Sequence, residues 1–247
     1  MAFLDEARPL RRILGAAMAS LLLMAPTLAS ALEFDPAVPR LVSFGGTCVK
    51  CQLSGRKLAG SRFVGADFAG AVLVGTDLRG AMFVGSDFQG ADLSRADLRS
   101  ASMEGADFSQ ARLSDTNMAG LKARGANFDR ADLSRAVLDS GALEAANLAG
   151  VDGRGASFAA TTLIGADLAD GKYDRASFRD ARLMAANLGG ATFGGADFSG
   201  ADLMHASLEG ADLSTARGLT QDQLNRACSD HATRLPAGLT GRNCHGR

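Results

Sequence analysis

The sequence predicts an all-β solenoid of about eight four-sided coils with a short C-terminal capping helix. Three observations predict it. An apolar residue recurs every fifth position from Leu53 to Leu213 without a slip of phase. The phenylalanines at those positions favour a separation of twenty. The 247 residues include 30 Gly but no Trp and a single Tyr, which fits a narrow core repeated many times better than one thick core.

In chain order, residues 1–31 read as an export signal. Arg8, Arg11 and Arg12 form a basic start, Ile13 to Ala25 a short apolar run, and Ala29-Ser30-Ala31 a small-x-small cleavage site, which makes Leu32 the expected mature N-terminus. The run is too short for a membrane span, so none is expected in the mature form. The Arg11-Arg12 pair leaves both the Sec and the twin-arginine route open. No Cys stands at the cleavage site, so no lipid anchor is expected there. The destination is periplasmic or secreted. Residues 32–45, with Pro36 and Pro39, read as an extended lead-in. The whole chain has 26 basic and 27 acidic residues; without the signal it has 23 and 25, a net of −2. That balance gives no electrostatic footprint for nucleic acid or an anionic membrane.

Residues 46–217 carry the repeat. Two positions before each large centre stands a small residue, as at Ala66, Ala71 and Ala91, with Asp or Asn between, as at Asp67 and Asn127. In an extended segment residues two apart share one face, so the small and large residues point inward and the polar one outward. The remaining two residues, often ending in Gly as at Gly65 and Gly70, turn the chain. Ten Phe occupy centres; three pairs lie five residues apart, none ten, two fifteen and six twenty. Like side chains favour stacking on one another, so twenty residues make one coil of four sides, and the stack extends roughly 40 Å.

The pattern Ala-(Asp/Asn)-Leu-x-Gly, as in Ala66-Asp67-Phe68-Ala69-Gly70, resembles the pentapeptide repeat family over about two thirds of the chain. The resemblance implies a right-handed quadrilateral β-helix. Some members protect DNA gyrase by imitating DNA, which implies an alternative role as an inhibitor or DNA mimic of a topoisomerase. Such a role needs a strongly acidic rod in the cytoplasm, and both the charge and the signal argue against it. The departures from the pattern are Ala123 and Gly153 at centres, Leu121 and Val151 at small positions, and Tyr173, a centre whose hydroxyl needs a partner or solvent.

Residues 218–247 break the period. Thr220-Gln221-Asp222-Gln223 fits a capped helix start, Leu224 and Ala227 give an apolar face, and Pro236 introduces an irregular tail. Gly218-Leu219-Thr220 and Gln223-Leu224 also resemble the helix that follows the repeats in many family members. A solenoid needs such a cap over its open end.

Four Cys in an exported chain suggest two disulfides. Cys48 and Cys51 open the solenoid while Cys228 and Cys244 follow its end, and a disulfide spans no more than about 7 Å between Cα atoms. The pairing is therefore Cys48–Cys51 with Cys228–Cys244, or intermolecular. Cys48 and Cys51 also sit at inward positions, where they serve equally as small core residues. A thiol-redox or metal role for Cys48-Val49-Lys50-Cys51 is the alternative, but the βαβ setting of redox pairs is missing and the three His lie at the far end, at 205, 231 and 245. Cys228, His231, Cys244 and His245 are zinc-type ligands, although in an oxidising compartment a disulfide is simpler. No metal and no cofactor is expected.

Asp67, Asp87, Asp107, Asn127, Asn147, Asp167 and Asn187 stack on one side. Bonding to the local backbone explains them better than cation binding. Beside them runs Val64, Val84, Glu104, Arg124, Glu144, Ile164, Met184 and Met204, with alternating charge in the middle and apolar ends. Such a row on a soluble rod suggests a contact surface. No catalytic set of residues falls together in this register. The expectation is an exported, non-catalytic scaffold or protein-binding rod, monomer or homodimer, with an unknown protein partner and no nucleic acid.

Overall fold

A computed structural model describes residues 46–244. The expected export signal over residues 1–31, the expected lead-in over residues 32–45, and His245 lie outside the described residues.

The chain winds as a right-handed quadrilateral β-helix. Parallel bridges join residues twenty apart, from Thr47↔Asp67 to Asp197↔Arg217. They define four sides, which begin at Thr47, Gln52, Lys57 and Arg62. Each centre donates its N–H one coil onward, as Phe68 to the Asp87 carbonyl at 2.6 Å, and each outward polar residue donates one coil back, as Asp87 to the Ala66 carbonyl at 2.9 Å. At the corner the next small residue closes the turn, as Ala71 N–H to the Phe68 carbonyl at 2.9 Å. Backbone pairing is thus accounted for coil by coil.

The corner imposes a left-handed backbone on every fifth residue. Gly105 has φ 63°, but Arg95 at 61°, Asp170 at 56° and Ala160 at 55° adopt the same conformation. The stacked ladder overrides a preference that costs an ordinary L-residue roughly 1–2 kcal/mol.

The inward residues form a continuous buried column. Phe68, Phe88, Phe108 and Phe128 stack on side one with centroids 4.9 to 5.1 Å apart, and Phe63 and Phe83 stack beside them on side four at 5.2 Å. Further along, Phe158, Phe178 and Phe198 stack on side three and Tyr173 with Phe193 on side two. The rings therefore cross from one pair of sides to the opposite pair between Phe128 and Phe158.

The irregular positions compensate one another. Tyr173 is fully buried, and its ring fills the space above Gly153 and beside Gly171. Its hydroxyl donates to the Leu148 carbonyl at 3.2 Å. Burial pushes the phenol well above its ordinary pKa, so it stays a donor. Leu121 and Ala123 exchange large and small positions, and both are buried.

Past Arg217 the helix α1, Gln221–Arg226, begins with a capping box between Thr220 and Gln223 and buries Leu224. Gln223 Nε2 also donates to the Phe198 and Ala201 carbonyls at 3.0 and 2.8 Å, covering the Ala201 ladder acceptor and sharing the Phe198 corner acceptor of the final coil. Pairing then resumes at Ser207↔Cys228 and Asp212↔Arg234. Asp230 accepts the Gly210 N–H at 2.9 Å, where a further coil would present a carbonyl. The Gly210 amide and the Thr233 hydroxyl hold this carboxyl at a pKa of about 2.

Candidate functional site

The two cysteine pairs lie at opposite ends of the described chain. Cys48 and Cys51 are bonded across the first turn, with Cα atoms 5.3 Å apart. Cys228 and Cys244 are bonded at 5.4 Å and hold the tail beside the resumed strand, where Ser229 bridges Asn243. No described cysteine is free, and among the described residues no group of three His, Cys, Asp or Glu is placed to hold a metal ion.

The polar ladder on side one is used internally. Oδ1 of Asp67, Asp87, Asp107, Asn127, Asn147, Asp167 and Asn187 each accepts the amide two residues on, at 2.8 to 3.1 Å. The Asn127, Asn147 and Asn187 amides then donate down the ladder at 2.9 to 3.0 Å. Each Asn therefore replaces a like-charge contact by a hydrogen bond.

The corner between sides four and one brings Val64, Val84, Glu104, Arg124, Glu144, Ile164, Met184 and Met204 onto successive coils. Val64 and Arg124 are exposed and the other six are half-buried, so the apolar character is shallower than a row of fully exposed side chains. The charges pair unevenly. Arg124 reaches Glu144 at 3.3 Å, whereas Glu104 accepts the Ser102 hydroxyl at 2.7 Å. Glu144 Oε2 is enclosed with no hydrogen-bond partner among the described residues.

Sequence reasoning missed the ion pairs on the other sides. Arg79 grips Asp77 and Arg99 grips Asp97 through two bonds each, of 2.6 to 2.9 Å. Arg154 does the same to Asp152, and Arg135 reaches down one coil to Asp115. The side-chain bond to arginine holds each of these four carboxyls below the usual range. The signal was an Asp and an Arg flanking one centre, as at Asp77-Leu78-Arg79.

The model of pentapeptide repeats matches eight copies, covering residues 48–172 and 181–217. The chain belongs to the pentapeptide repeat family. Among solved members, HetL, a pentapeptide repeat protein involved in heterocyst differentiation regulation from the cyanobacterium Nostoc sp. strain PCC 7120, is 29% identical over 78% of this chain and 88% of its own, with TM-score 0.71. QnrB1, a plasmid-mediated fluoroquinolone resistance protein, is 23% identical over 77% of this chain and 90% of its own, with TM-score 0.46. A pentapeptide repeat protein of the Arabidopsis thaliana thylakoid lumen is 30% identical over 42% of this chain and 69% of its own, with TM-score 0.32. No curated protein matches the chain.

Proposed function

We propose that this pentapeptide repeat protein is an exported, non-catalytic rod that binds a protein partner along the corner from Val64 to Met204. The observation that carries the reading is the row itself. Eight residues recur at one corner, apolar at both ends and charged at Glu104, Arg124 and Glu144. A periodic ledge of this kind matches an elongated partner, with the apolar ends giving contact area and the central charges fixing register. Likeness to HetL, whose described role is regulatory, favours binding over catalysis. Export rests on the basic and apolar pattern of residues 1–31.

The test is Val84→Asp combined with Met184→Asp, with cross-linking and pull-down from the exported fraction. Loss of a partner that the wild type captures, at unchanged melting temperature, supports the corner. An unchanged set of partners removes it. Recovery of full-length protein with residues 1–31 intact in the cytoplasm overturns export.

A further inference from the structure

We propose that the first coil is a docking end for an anionic phospholipid surface. Between Gly46 and Ala66 the chain has four cations, Lys50, Arg56, Lys57 and Arg62, and no Asp or Glu. Lys50, Lys57 and Arg62 are exposed. Many arginines further along are held by carboxylates, as Arg79, Arg99, Arg135 and Arg154 are. Among the described residues no carboxylate pairs with Lys50, Lys57 or Arg62, and Arg62 Nη2 instead lies 3.9 Å from Met82 Sδ.

The same coil holds both large apolar side chains that are most exposed among the described residues, Val49 at 44% and Val64 at 47%. Val49 adjoins Lys50, and Val64 is two residues from Arg62. Cations attract an anionic leaflet while neighbouring apolar groups enter the boundary between headgroup and acyl chain. A single-stranded nucleic acid would call for exposed aromatic platforms beside the cations, and the aromatic centres of the solenoid are buried. The near-neutral balance of the whole chain conceals the cluster, because the excess is confined to one coil.

The probe is vesicle co-sedimentation with phosphatidylcholine alone and with added phosphatidylglycerol. The protein is recovered from an exporting host with its N-terminus fixed by mass spectrometry. Wild type is expected to bind the anionic vesicles at low salt. Lys57→Glu with Arg62→Glu should weaken binding at least about tenfold. Val49→Asp should weaken it as well, and Arg182→Glu, on the same side six coils away, should leave it unchanged. Lys50→Glu serves as a second charge reversal should the pair lower the melting temperature. Equal binding to neutral vesicles, undiminished binding by both charge reversals, or no binding overturns the proposal. Equal competition by soluble polyglutamate assigns the coil to an acidic protein instead. None of these variants touches Val84 or Met184, so this end and the binding corner fail or stand separately.

Discussion

The ring of Tyr173 stands in the space that a side chain on Gly153 would need: a Cβ there would lie 2.6 Å from the ring Cδ1. The two residues are one coil apart on side two, so the large centre and the missing one form a single packing unit. Gly153→Val is expected to lower stability by about 1–3 kcal/mol, read as a shift of the urea midpoint. Gly153→Leu with Tyr173→Leu restores two ordinary centres and should lie well above the sum of the single changes. Additive single effects would mean that ring and glycine do not share the space.

Gly105 isolates the cost of the corner backbone. It has φ 63°, and a Cβ there would meet nothing within 4 Å. Gly105→Ala is expected to cost about 1 kcal/mol without any change in packing. Ala145, left-handed at φ 55°, gives the reverse test, since Ala145→Gly should be neutral or slightly stabilising in the same melt. A fully tolerated Gly105→Ala would show that the stacked ladder, rather than the residue type, sets the corner.

Acid should loosen the C-terminal end through Asp230. Asp230 has its pKa lowered from 3.8 to about 2 by the Gly210 amide and then the Thr233 hydroxyl. Its contribution is complete above the unfolded value near 3.8 and disappears as pH falls through about 2. The protection of the Gly210 amide, taken against its intrinsic exchange rate at each pH, should therefore fall across that window. Asp230→Asn, whose Oδ1 still accepts an N–H but does not titrate, should abolish the pH step, and an unchanged step would separate it from this carboxylate.

The two disulfides close loops of unequal size, with sequence separations of 16 and 3. Loop-closure entropy then favours the C-terminal one. Cys244→Ser should cost about 3 kcal/mol and Cys51→Ser about 2 kcal/mol. Thiol titration of the denatured, unreduced protein should find no free thiol. Two reactive thiols assigned to Cys48 and Cys51 would favour redox chemistry there.

The coil was legible because its core repeats. Phe68, Phe88, Phe108 and Phe128 report the twenty-residue turn by their spacing alone, since each ring rests on the last. The capping helix was legible from Thr220 and Gln223, whose side chains satisfy each other's backbone. The partner of the Tyr173 hydroxyl was not, because the Leu148 carbonyl is reached across both a side and a coil. The resumed strands were hidden for another reason: α1 lengthens the separation from twenty to 21 at Cys228, and one further residue between Cys228 and Arg234 makes it 22. The left-handed backbone of Arg95 and Ala160 contradicts their own preference and follows only from the corner they occupy. At the candidate edge the order of residues was legible, but their half-burial and the uneven pairing of Arg124 depend on how the corner turns.

The crossing of the aromatic stacks gives the molecule a seam. Between Phe128 and Phe158 the centres are Leu133, Leu138, Leu143, Leu148 and Gly153, with no ring among them. Neighbouring coils carry the cohesion of a solenoid, each coil touching only the next. Damage on one side of this aliphatic joint therefore leaves the ring column on the other side in place. The chain is one unbroken column whose aromatic lining changes sides at an aliphatic joint.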